Sequence, residues 1–191
     1  MSAYLALLLA VLSRILPHTF HATGMNITAV GGSLLFFGSK LNSNGAKHGR
    51  WQALIAILAL AATDYYLTVY AYGFPFHVSG YFVTWAWYGA ICLLGSRVLA
   101  KQATALRVGA AVLASATSFF VLSNFMVWIG GGMYPSTMAG LGACYVAAIP
   151  FYANDLISTA FVAGALFGVP ALAKSIVETL REAEGSGRPL A

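Results

Sequence analysis

Residues 108–129 run without a single charged side chain, and residues 51–72 contain only one, Asp64. Runs of this length match what a helix needs to cross the ~30 Å hydrocarbon core of a bilayer, about 20 residues per crossing. The whole chain shares that character: of 191 residues, 60% are hydrophobic and 8% are charged. A water-soluble domain carries about 25% charged residues, so this polypeptide lacks the side chains to cover a surface facing water. Only closed barrels and helices satisfy their backbone inside lipid, and the long uninterrupted apolar runs select helices. The expected fold is all-α, a polytopic membrane bundle in a single domain.

Six apolar stretches stand out as spans: 3–16, 27–39, 51–72, 81–99, 108–129 and 156–172. The first could pass for a signal peptide, but it has no basic residue before its apolar run and no small-x-small cleavage site after it, so a retained helix is expected. The first two stretches fall short of a full crossing. That is tolerable where their outer ends stop inside a protein-lined cavity. Segment 137–152 is apolar, about half a membrane long and cut by Pro150, and reads as an extra short outer helix around 137–150. The transmembrane domain is expected to cover 1–177. Residues 178–191 read as a polar cytoplasmic tail, frayed or disordered.

Charge placement orients the bundle. Nine of the ten basic residues fall in three groups: Lys40, Lys47, Arg50; Arg97, Lys101, Arg107; and Lys174, Arg181, Arg188. Two spans separate each group from the next, so all three share one side, which the positive-inside rule makes cytoplasmic. Both termini are then inside. The net charge of +5 is accounted for by orientation, and nucleic acid is not an expected partner; the lipid bilayer is. Cys92 and Cys144 fall near opposite faces, which argues against a disulfide framework.

The outer connections, 17–26, 73–80 and 130–155, then contain His18, His21, His77, Tyr134, Tyr145, Tyr152 and Asp155 and no lysine or arginine. His48 lies with the basic loops. Tyrosines and tryptophans collect at membrane interfaces as a class, but the histidines converge with ionisable groups inside the spans. Asp64 sits about eight residues below the outer end of its helix, and a carboxylate there faces the bundle interior and marks a functional site. Thr68 shares its helical face and Tyr65 flanks it; Tyr81 opens the next span. Arg14 is the one basic residue at the outer side. It snorkels to headgroups, pairs with Asp64, or meets an anionic ligand group. Asn124, with Trp128 one turn further out, is a buried polar group on an outward-pointing stripe; an interhelical hydrogen bond is the ordinary role for such a residue. On the first helix Ala3, Ala6 and Ala10 form a small-residue face, suited either to packing within the bundle or to contact with a partner helix.

Taken together, six helices with both ends inside, Ala6-x-x-x-Ala10 on the first, and a pocket closed by outer loops resemble the substrate-binding S components of energy-coupling-factor vitamin transporters. In detail the chain is similar to a group of uncharacterised bacterial membrane proteins. The stretches that carry this are Leu12-Ser13-Arg14-Ile15-Leu16-Pro17-His18, Ser123-Asn124-Phe125-Met126-Val127-Trp128 and Met133-Tyr134-Pro135-Ser136-Thr137, with Ala143-Cys144-Tyr145 shortly after. The likeness to that group covers nearly the whole chain, whereas topology and short motifs carry the likeness to S components. It implies a multi-pass protein of the bacterial inner membrane. Among S components the solitary cobalamin-binding kind is the nearest comparison, with an acidic residue in helix 3 and a metal-ligating side chain in the following outer loop. There the ligand is a cysteine; here the matching loop Phe74-Pro75-Phe76-His77 offers His77. Imidazole suits axial coordination of a metal such as cobalt, whereas reductive chemistry wants a thiolate.

The expected function is therefore a membrane-embedded binding or transport subunit for a vitamin-like solute, with a corrinoid as one candidate and cobalamin as the ligand in that case. No ATPase P-loop occurs in the sequence, so transport would draw on an energising transmembrane/ATPase module or on a gradient. Two alternatives stand beside it: a metal- or haem-binding membrane enzyme using the histidines, and a gradient-driven small-solute carrier. Nucleophile elbows and zinc-protease motifs are absent from the sequence, which disfavours hydrolysis.

Overall fold

The computed structural model describes residues 1–19, 27–41 and 51–186, with side chains outside 17–19 and 183–186. Seven α-helices follow in chain order: α1 (Ser2–Thr19), α2 (Val30–Lys40), α3 (Gln52–Tyr66), α4 (Phe82–Val98), α5 (Ala105–Ile129), α6 (Met138–Ala163) and α7 (Val169–Ser186). A π-helical turn, Leu67–Ala71, prolongs α3, and another, Gly164–Gly168, joins α6 to α7, so these elements make six helical rods. No strand occurs among the described residues. Among the described residues three stretches are long and apolar enough to cross a membrane: Gln52–Ala71, Ala105–Ile129 and Met138–Glu182. The apolar helix Ser2–Leu16 is shorter.

The shortest rod is the innermost. Every residue of α2 from Val30 to Ser39 is buried, with α1, α4, α5 and α6 packed around it. A helix covered on all sides needs slender contacts, and glycine supplies them. A Cβ on Gly38 would stand 2.1 Å from the Cys92 carbonyl oxygen, and one on Gly95 would stand 2.3 Å from the Leu35 carbonyl oxygen. The backbones of α2 and α4 therefore meet directly, the close approach that small residues allow between helices. The opening turn of α2 is held from outside it. The Ser13 hydroxyl accepts the Ala29 N–H at 2.9 Å and donates to the Ala10 carbonyl at 2.8 Å, so one side chain ties α1 to the start of α2.

Neighbouring rods alternate in direction. Tyr4 packs edge-on against Phe37 and Ser13 meets Ala29, which sets α1 antiparallel to α2. Trp128 donates to the Pro135 carbonyl at 3.0 Å, Tyr145 to that of Val121 at 2.9 Å, and Thr117 meets Tyr152 at 2.9 Å. These rungs zip α5 to α6 as an antiparallel hairpin, turned through Gly131 and Gly132 at φ 76° and 90°. This alternation gathers Lys40, Arg97, Lys101 and Arg107 at one end of the bundle. The exterior is apolar, with Leu5, Leu8, Leu58 and Phe161 exposed, whereas Asp64, Thr63, Asp155 and Thr159 are buried.

Three expectations need correction. Segment 137–152 is not a separate outer helix: it is the first half of α6, which runs through Pro150 without a break. Proline removes a single backbone donor, and the rungs from Tyr145 and Tyr152 to α5 hold the helix on both sides of it. Tyr145, Tyr152 and Asp155 consequently belong to a helix rather than to a loop. Second, the tail is helical as far as Ser186. Its apolar residues Val169, Leu172, Ile176 and Leu180 recur at helical spacing opposite Lys174, Glu178 and Arg181, which gives a two-faced helix that its bare composition concealed. Third, Ala6 and Ala10 are buried and Ala3 packs on the core of the same bundle, so this face is used internally and is not open to a partner helix.

Candidate functional site

Two buried carboxylates lie on different sides of α2, and they differ in what surrounds them. Asp64, on α3, is 3% exposed. Arg14 reaches it from α1 with Nη2 2.5 Å from Oδ1, while Nη1 donates to Thr63 Oγ1 at 2.5 Å and to the Leu60 carbonyl at 3.3 Å. The other carboxylate oxygen accepts the Trp85 indole N–H from α4 at 2.9 Å. Tyr88, one turn further along α4, is buried and electrostatically coupled to both charges. Both oxygens of Asp64 are thus engaged, and three helices are joined at one point. Of the three roles open to Arg14, the structure selects pairing with Asp64.

Above this brace the π turn and the start of α4 carry an aromatic cap. Thr68 and Tyr81 share a hydrogen bond of 2.5 Å between their hydroxyls. Phe76 stacks on Tyr81 at 4.8 Å and meets Tyr65 edge-on at 5.2 Å, and Trp85 stacks on Tyr81 at 6.0 Å. His77, next to Phe76, is exposed. Among the described residues no three His, Cys, Asp or Glu side chains converge as a metal site would require. The side chain of His18, and His21 and His48 entirely, lie outside the described residues.

Asp155 has different company. It is 7% exposed on α6 and forms the floor of a cavity of about 300 Å³ between α5 and α6, lined by Phe119, Phe120, Ser123, Asn124, Ala148, Phe151, Tyr152 and Asp155 itself. Its backbone carbonyl accepts from Ser158, but its carboxylate has no hydrogen bond or ion pair with any described residue. Asn124 donates its amide N–H to the Phe120 carbonyl at 2.8 Å, so its role is an intrahelical bond plus a place on the cavity wall. One turn below Asp155, the hydroxyls of Thr159 and of Ser115 on α5 are fully buried without a partner. Both lie within 3.2 Å of where a Cβ on Gly31 would be.

The residues expected to form one pocket therefore divide. Arg14, Asp64, Tyr65, Thr68 and Tyr81 come together on the α1–α3–α4 side. Asn124 lies on the α5–α6 side; Trp128 and Tyr134 lie at the turn of that hairpin, outside the cavity lining. Sequence reasoning missed Trp85 and Phe76 in the first group, although Tyr81, Trp85 and Tyr88 recur at helical spacing. It missed the cavity because Asp155 was assigned to a loop. The spacing Cys144, Ala148, Asp155, Thr159, Ala163, carried across Pro150, was the available signal of one continuous buried face.

No curated protein and no solved structure matches this chain. Residues 1–180 match the model of a family of unknown function, DUF6580. The match takes in both carboxylates, the Arg14 brace and the whole α5–α6 hairpin, and the chain belongs to that family.

Proposed function

We propose that this protein crosses the bacterial inner membrane six times, with both termini in the cytoplasm, and captures a small vitamin-like solute from the outer side. The observation that carries the reading is the α5–α6 cavity with Asp155 at its floor. A buried carboxylate without a partner is costly in a low-dielectric interior, and a concave site with aromatic walls and few polar groups is the usual form of a small-molecule site. The basic residues at one bundle end support the orientation, and the apolar exterior supports the bilayer as the surrounding medium.

The cavity size favours a solute of vitamin-fragment dimensions over a corrinoid, whose macrocycle far exceeds 300 Å³. The exposed His77 belongs to no cluster of three metal-ligating side chains among the described residues, so corrinoid binding gains no further support. The chain carries no nucleotide-binding loop, so movement of the solute needs an energising partner or a gradient. Such a partner docks on a surface other than Ala6 and Ala10. The test is equilibrium binding of a vitamin panel, cobalamin included, to protein purified in nanodiscs. A hit smaller than a corrinoid is expected; a panel without a hit would count against the reading.

A further inference from the structure

We infer that the solute held between α5 and α6 is a small organic cation whose ammonium group sits against Asp155, an assignment that rests on reading this cavity as a solute site. The cavity walls present acceptors without a cation to match them. Asp155 brings a carboxylate with no partner among the described residues. Asn124 spends one N–H on the Phe120 carbonyl, which fixes the orientation of its amide and leaves its carbonyl oxygen and second N–H unused. Tyr152 is already paired with Thr117, and Ser123 adds a hydroxyl that accepts as well as donates. Among the described residues no lysine, arginine or histidine lines the space.

The remaining walls are aromatic. Phe119, Phe120, Phe151 and Tyr152 line the same cavity as the carboxylate, with the Phe120 and Tyr152 rings 4.9 Å apart. Ring faces attract cations, by about 2 kcal/mol or more once water is excluded. A carboxylate amid aromatic rings complements an ammonium ion that carries an organic substituent. A bare metal ion fits less well: hard cations take about six oxygen ligands, and this space is larger than one ion, with side-chain oxygens from Ser123, Asn124, Tyr152 and Asp155 beside three phenylalanines and Ala148.

The experiment uses full-length protein in nanodiscs and a series of primary amines from ethylamine to tryptamine, each paired with the alcohol of the same skeleton. At least one amine is expected to bind tenfold or more tightly than its alcohol. Asp155→Asn should erase that preference, and Phe151→Leu, which keeps the carboxylate but removes a ring, should narrow it severalfold. An alcohol binding as well as its amine, or Asp155→Asn retaining the preference, overturns the cation assignment while leaving the solute cavity intact. If neither amine nor alcohol binds to folded protein, the cation assignment falls, and the vitamin panel alone decides whether the cavity holds a solute. Stabilisation by sodium chloride over potassium chloride at equal ionic strength, with no amine bound, overturns the organic-cation assignment in favour of a metal ion.

Discussion

Arg14 and Asp64, fifty residues apart in sequence, stand with Nη2 2.5 Å from Oδ1, and this pair is a brace. Arg14 is 17% exposed and Asp64 3%, and the guanidinium and carboxylate are each bound by more than the other. Trp85 takes the second Asp64 oxygen and Thr63 the second arm of Arg14. A solute would have to displace internal bonds to use either group. Asp155, with none to displace, is the better receptor.

Removing one member of the brace should strand the other. Arg14→Ala or Asp64→Ala is expected to cost about 3–5 kcal/mol, because an uncompensated charge remains buried. The double substitution Arg14→Met with Asp64→Leu should recover most of that loss. Denaturation in detergent measures both. Single variants as stable as the parent, or a double variant as unstable as the two losses added, would show that the pair does not act as a unit.

Close approach of α2 to α4 predicts a steep response at one glycine and none at another. Gly38→Ala places a methyl group on the Cys92 carbonyl, and the forced separation should cost about 1–3 kcal/mol. Gly109→Ala, at a position with nothing within 4 Å, should be neutral or slightly stabilising, since alanine is the better helix former. Equal effects at the two sites would contradict the packing described.

The orientation is testable from outside the cell. Cys92 and Cys144 are buried, which leaves a quiet background for a membrane-impermeant maleimide. Ser136→Cys, in the α5–α6 turn, should label in intact cells. Gln102→Cys, between α4 and α5, should label only after the membrane is opened. The reverse pattern would invert the topology.

His77 provides a negative control. It stands exposed beyond the aromatic cap, distant in the fold from the α5–α6 cavity lining. His77→Ala should change solute affinity less than twofold; a larger loss would return the site to the outer loops.

Much of the fold was legible in the sequence because its apolar runs are long and its charges few. Uncharged runs mark helices, and the placement of Lys40, Arg97 and Arg107 indicates which ends lie together. The Arg14–Asp64 contact was also within reach, as pairing with Asp64 is one of three roles open to an arginine on the outer side of the bundle. Two kinds of information were hidden. Pro150 reads locally as a break, yet the rungs from Tyr145 and Tyr152 outweigh one missing backbone bond, and no pattern within α6 announces those partners. The glycines of α2 showed that something packs closely, but not that the shortest helix lies in the centre. The cavity followed from both, because it exists only once α6 runs unbroken past Asp155.

The central claim is that a small solute binds between α5 and α6. Its most direct measurement is the affinity of the vitamin and amine panel for the parent protein and for Ala148→Leu and Asn124→Leu, which narrow the cavity from α6 and α5 in turn. The account predicts that a solute bound by the parent loses at least tenfold in affinity to both variants, while Tyr81→Phe, at the aromatic cap, leaves it within twofold. Unchanged affinity in both narrowed variants, or a loss confined to Tyr81→Phe, would contradict it.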